Sequence, residues 1–160
     1  MPGLSMSPRV RHGLELAARL ALAGVFAFAS LPKLADPVSL ARDVENYHLL
    51  PAAWLGPIAI GLPILELVVA LALLTGLHAR GAALVALAML LAFAGGMTQA
   101  LVRGIDLDCG CFGRALTARV SALTVARNLA LASLALPILL ARRPTPHAPV
   151  PPPPEGPPAA

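Results

Sequence analysis

Cys109 and Cys111 are the only cysteines in 160 residues, and one glycine separates them. They lie in Asp106-Leu107-Asp108-Cys109-Gly110-Cys111-Phe112-Gly113, within the longest polar interruption of an otherwise apolar chain. Thiols in this setting have three available roles: a static loop element, a metal site, or a dithiol–disulfide couple. A structural cysteine usually behaves as a small hydrophobe inside an element, and these two stand among aspartates and an arginine. A metal would find Cys109, Cys111, Asp106 and Asp108, with His48 supplied from another loop. That set mixes soft and hard ligands and matches neither the thiolate preference of Cu(I) nor a four-ligand zinc site. A disulfide across one residue closes a strained ring, and Gly110 supplies the backbone freedom it needs. Strained disulfides are the more easily reduced ones, which favours the redox role. The local charges pull both ways: Asp106 and Asp108 raise a thiol pKa, and Arg103 and Arg114 lower it.

Glu66 and Arg127 are the other candidates, because both fall inside apolar segments. An ionised side chain near the centre of a membrane span costs roughly 3 kcal/mol to insert. Glu66 therefore needs a partner, and Arg127 is the expected one. Counted from the same side, the two differ in depth by roughly 10 Å at 1.5 Å per residue. A long arginine side chain and a kink at Pro63 can close that gap. The pair either locks the bundle or forms a proton or quinone site beneath the cysteine loop. Tyr47 and His48 bring a hydroxyl and an imidazole to the same side, although a lone loop histidine is more often simply solvated. There is no phosphate-binding glycine loop, no arguable serine–histidine–aspartate spacing and no zinc-protease pattern.

The elements that position these residues follow from composition. The chain is 58% hydrophobic and only 12% charged, with a mean hydropathy of +0.78. Soluble domains carry about 25% charged residues, so the apolar excess must face lipid. The net charge of +4 does not indicate nucleic acid, because the basic residues are scattered at segment ends rather than clustered. An all-α integral membrane four-helix bundle is predicted over residues 14–143, with spans at about 14–34, 52–77, 81–102 and 120–141. Residues 1–13 form a basic N-terminal segment. Residues 144–160 are proline-rich, favour polyproline II and are expected to be a disordered tail.

In the first span, Glu15 and Arg19 are spaced to pair on one helix face. Arg19 and Lys33 are each placed to snorkel to an interface. A cleavable leader is the rival for this segment, disfavoured by the charges inside its apolar run. Asp36-Pro37 stops the first helix, and residues 36–51 read as a polar loop. Trp54 marks the interfacial belt. Ala92, Gly95, Gly96 and Ala100 suit close packing of the third span.

An even number of spans puts both termini on one side. That side carries Arg9, Arg11, Arg19, Arg80, Arg142 and Arg143, against Lys33, Arg42, Arg103, Arg114 and Arg119 opposite. The positive-inside rule then places the termini in the cytoplasm and the cysteine loop outside.

Several stretches together resemble the methylamine utilisation protein MauE family, within the DoxX-like group of four-helix membrane proteins. They are Phe28-Ala29-Ser30-Leu31-Pro32-Lys33-Leu34 with Asp36-Pro37, Tyr47-His48-Leu49-Leu50-Pro51, Leu65-Glu66-Leu67, Leu74-Thr75-Gly76-Leu77, Arg103-Gly104, Asp108-Cys109-Gly110-Cys111-Phe112-Gly113 and Arg127-Asn128. The resemblance implies a multi-pass protein of the bacterial inner (plasma) membrane with its cysteine loop in the periplasm. It implies a part in maturing an exported, disulfide-rich protein, in the family the methylamine dehydrogenase small subunit, with a thioredoxin-like periplasmic partner. DoxX-like relatives imply quinone-linked thiol or sulfur redox. The expected site is then the redox pair Cys109 and Cys111, supported by Asp108, Gly110, Phe112, Gly113, Glu66, Arg127 and Lys33. Two other classes stay open: a non-enzymatic membrane scaffold or transport-assisting subunit, and a metal-handling membrane protein.

Overall fold

The computed structural model describes residues 7–104 and 121–141. All regular structure among the described residues is helical. Four stretches are long and apolar enough to cross a membrane: Arg9–Ala35, Ala52–Thr75, Ala79–Val102 and Ala122–Leu140. The shortest has 19 residues, or roughly 28 Å of helix, close to the thickness of a hydrocarbon core.

Helix α1 (Pro8–Ala35) starts with proline at its first position, where the missing N–H costs nothing. Its buried stripe is Ala18, Leu22, Phe26, Ala29 with Ser30, and Lys33, a spacing of three or four residues. Asp36 ends α1, its N–H donating to the Pro32 carbonyl. The same residue starts α2 (Pro37–Asn46), its carboxylate accepting from the Ser39 N–H at 3.0 Å. The segment read as a polar loop therefore contains an amphipathic helix. The signal was present: an Asp N-cap, proline at the first helical position and an apolar Leu40 on one face. Leu40 is buried, and α2 packs on α3.

A 3-10 turn at Ala52–Trp54 leads into α3 (Leu55–Thr75). Its buried stripe is Ala59, Pro63, Glu66, Val69 with Ala70, and Leu73. It ends at Gly76, whose φ of +80° is the left-handed geometry that glycine adopts without strain. Arg19 reaches across from α1 and donates from Nε and Nη2 to the Leu73 carbonyl, both at 3.1 Å. Arg19 thus caps the end of α3, where the helix dipole favours a cation, in place of the expected pairing with Glu15 or snorkelling.

A turn through His78 opens α4 (Ala79–Val102). Its close packing comes from Ala82, Ala83, Ala86, Ala94 and Ala100. Of the small residues expected to do this, Ala100 is buried, whereas Ala92 and Gly95 are exposed on the bundle. Gly96 faces Tyr47 and Leu49. The fourth span is two helices, α5 (Ala122–Ser133) and α6 (Ala135–Leu140). Pro137 cannot donate to Ser133 and its ring crowds that carbonyl, so the break falls four residues before it. α5 begins with a reciprocal capping box between Ser121 and Thr124. The core is one cluster centred on Leu22, Leu73, Ala83, Ala135 and Ile138.

Candidate functional site

The two charged residues on the core stripes of α1 and α3 meet. Lys33 Nζ lies 2.5 Å from Glu66 Oε1, and both residues are buried. The position follows from helical periodicity, since Lys33 continues the Phe26–Ala29–Ser30 stripe and Glu66 sits between Pro63 and Val69 on its own. The ammonium also stands 5.5 Å from the centre of the Phe93 ring on α4, within cation–π range.

This arrangement corrects two sequence expectations. Lys33 does not snorkel, because α2 folds back immediately after it and the stripe turns it inward. Glu66 takes Lys33 as its ion partner, and Arg127 is not its salt bridge. Adjacent residues on a helix point about 100° apart. Asn128 takes the inward position on α5 and is buried, which leaves Arg127 on an exposed edge. Asn128 Nδ2 donates to the Leu90 carbonyl at 2.5 Å and ties α5 to α4.

Glu66 and Arg127 nevertheless line one small cavity, together with Thr124, Asn128, Phe93 and Met97. Its volume is about 30 Å³, enough for a water or two, since one water needs at least about 10–15 Å³. The second carboxylate oxygen of Glu66, Oε2, is buried without a hydrogen-bond partner among the described residues. A larger cavity of about 150 Å³ lies on the other side of the pair, lined by Lys33, Tyr47, Leu50, Phe93, Gly96 and Met97 among others. Phe93 and Met97 line both. The ion pair and these two side chains therefore border both a small cavity and a larger one, each walled chiefly by apolar groups.

A buried ion pair is weak evidence of stabilisation in itself, because desolvation can cancel the Coulomb attraction. Its value here is positional: it fixes the Lys33 amino group and the Glu66 carboxyl at defined places inside the bundle. Among the expected site residues the structure joins Lys33 and Glu66 and brings Arg127 to the edge of the same assembly. Asp108, Cys109, Gly110, Cys111, Phe112 and Gly113 lie outside the described residues. The segment holding them leaves α4 at Gly104, which has a φ of +66°, and enters α5 at the Ser121 cap. Tyr47, Phe93 and Asn128 were not read as parts of one site. Asn128 carries a signal of its own, an amide beside Arg127 within an apolar span, whereas nothing local distinguishes Phe93 from the other apolar residues of α4.

Residues 11–141 match the family model described as methylamine utilisation protein MauE. A methylamine utilization protein MauE of Paracoccus denitrificans is 40% identical over 123 residues, covering 76% of this chain and 66% of that protein. The protein of that name from Methylophilus methylotrophus is 39% identical over 121 residues, covering 74% and 64%. A further one, from Methylorubrum extorquens, is 35% identical over 119 residues, covering 72% and 64%. This chain spans just under two thirds of the length of the first of these relatives. No solved structure matches it.

Proposed function

This chain belongs to the methylamine utilisation protein MauE family, and we propose that it assists the maturation of an exported protein by thiol–disulfide exchange at Cys109 and Cys111. The observation that carries the reading is the extent of the family match. It runs from residue 11 to residue 141 and so covers three spans whole, all but the first two residues of the other, and the chain's only cysteines. Four apolar helices support a multi-pass protein in a lipid bilayer. Its termini are assigned to the cytoplasm and its cysteine loop to the periplasm, where disulfides persist. Residues 14–143 act as one DoxX-like bundle, with 1–13 and the proline-rich 144–160 as flanking segments. The pathway is methylamine utilisation, and the client class is an exported disulfide-rich protein such as the methylamine dehydrogenase small subunit.

In the exchange, one thiolate of the pair attacks a disulfide sulfur of a thioredoxin-like partner or of the client. A mixed disulfide forms and the partner's other sulfur leaves as a thiolate. The second cysteine then attacks the mixed disulfide. Cys109 and Cys111 end as a disulfide, the partner ends as a dithiol, and two electrons have moved to the partner. Run in reverse, the same steps install a disulfide in the client. Gly110 lets the two sulfurs approach closely.

Thiol trapping in intact membranes tests this. A Cys111→Ser variant is expected to accumulate a mixed disulfide with an exported protein, and a double serine variant is expected to lose maturation of the client. Both cysteines staying fully reduced in growing cells, with full function in the double serine variant, would remove the exchange role.

A further inference from the structure

We propose that the end of the bundle where α1 and α4 begin binds the headgroups of anionic phospholipids, through Arg9, Arg11 and Arg80. The proposal rests on the four apolar helices crossing a bilayer. It is independent of which side that end faces and of what the cysteine loop does.

The first observation is how far α1 outreaches the helix it packs on. Arg19 is held on the Leu73 carbonyl and lies against Gly76, where α3 ends. α1 starts at Pro8, so roughly 16 Å of helix continues past that level. Arg9 to Ala17 are exposed along it, apart from the half-buried Glu15. At 28 residues, α1 is roughly 42 Å long. A hydrocarbon core is about 30 Å thick, and about 40–45 Å with both headgroup layers. The first turns of α1 therefore fall in a headgroup layer.

The second is the surface those turns carry. Val10, Leu14, Ala17, Ala21, Gly24 and Phe28 recur every three or four residues and are all exposed. They form one face, the face that α1 turns to lipid along the bundle, and it runs on to Val10. Bulk water would be a poor surrounding for Val10 and Leu14, which are 56% and 49% exposed. Arg9 and Arg11 flank Val10. At the acyl boundary the apolar face stays covered while the guanidinium groups reach the phosphate level.

The third is charge. Among the described residues this end carries Arg9, Arg11, Arg19 and Arg80 against a single acid, Glu15. The α3–α4 turn at Gly76 puts Arg80 at the same end as Arg19. No ion pair or side-chain hydrogen bond among the described residues engages Arg9, Arg11 or Arg80. The opposite end has the reverse balance, with Asp36, Asp43 and Glu45 against Arg42 and Arg103. Guanidinium groups match phosphate oxygens in geometry as well as charge. A lipid with net negative charge complements the surplus, whereas a zwitterionic headgroup brings its own cation and offsets the attraction.

Competition between two lipids tests this. The full chain in non-ionic detergent is offered equal amounts of phosphatidylglycerol and phosphatidylcholine with the same acyl chains. Bound lipid is read by native mass spectrometry. Phosphatidylglycerol should be taken up with at least about tenfold preference, on a scale of about fivefold per arginine. The preference should shrink as salt rises from about 0.05 M to about 0.5 M. Arg9→Gln with Arg11→Gln, both at exposed positions, should lower it at least about fivefold, and adding Arg80→Gln should remove the rest. Arg9→Lys with Arg11→Lys should retain most of it, and Arg42→Gln at the opposite end should leave it unchanged. Equal uptake of the two lipids, an undiminished preference in the glutamine variants, or an equal loss in Arg42→Gln would each overturn the proposal. So would displacement of the bound lipid by glycerol 3-phosphate, which would make this a site for a free phosphate rather than a bilayer surface.

Discussion

Lys33 Nζ lies 2.5 Å from Glu66 Oε1 and joins the last turn of α1 to the middle of α3 across 33 residues of sequence. Removing one member leaves the other charged and buried, which costs about 3–5 kcal/mol. Lys33→Met and Glu66→Leu should each destabilise by that order, and the double variant should recover most of it. Unfolding in detergent micelles measures the coupling. Additive losses would mean that the two side chains do not depend on each other. In the parallel cycle, Glu66→Gln with Arg127→Gln should couple more weakly than the Lys33 cycle.

Gly76 is under two constraints at once. Its φ is +80°, and a Cβ there would collide with the Arg19 guanidinium. Gly76→Ala is expected to cost at least about 1–2 kcal/mol from the left-handed backbone alone, with more from the collision. Adding Arg19→Ala should relieve the collision and leave the backbone penalty. A double variant less stable than the sum of the singles would be the wrong sign for this account.

The Asn128 amide is the polar tie between α4 and α5. Interhelical hydrogen bonds of this kind in membranes are worth about 0.6 kcal/mol on average and up to about 1.7 kcal/mol. Asn128→Ala should cost this much plus a small packing loss, and thermal melts of the purified protein provide the measurement. A loss well above about 3 kcal/mol would show that Asn128 holds more than the Leu90 carbonyl.

Ser121 and Thr124 cap the helix that the cysteine segment enters. Ser121→Ala should cost about 1 kcal/mol, concentrated in the first turn of α5. Hydrogen exchange should quicken at Thr124 and Val125 and stay unchanged at Leu90. Uniform acceleration across the bundle would point to global destabilisation instead.

The four spans were legible because composition and segment length are global signals that no local detail overrides. The break at Ser133 and the helix α2 were less visible: both depend on single proline and cap positions inside stretches read as one class. The ion pair was half legible. Glu66 stood out as an acid within a span, but its partner was sought by depth along straight helices. Lys33 stood among the supporting residues but was expected to snorkel, because a lysine at a helix end ordinarily reaches water. What decided the matter was the angular position of Lys33 on the stripe through Phe26 and Ser30, together with α2 closing over that end. Residues far apart in sequence declare a shared cavity only once the helices are placed.

Asp36 serves α1 and α2 at the same time, closing one helix and opening the next without a spacer. With no spacer between the two helices, the direction in which α2 leaves α1 is set only three residues after Lys33, so the backbone that places the ammonium and the backbone that places α2 are one continuous joint.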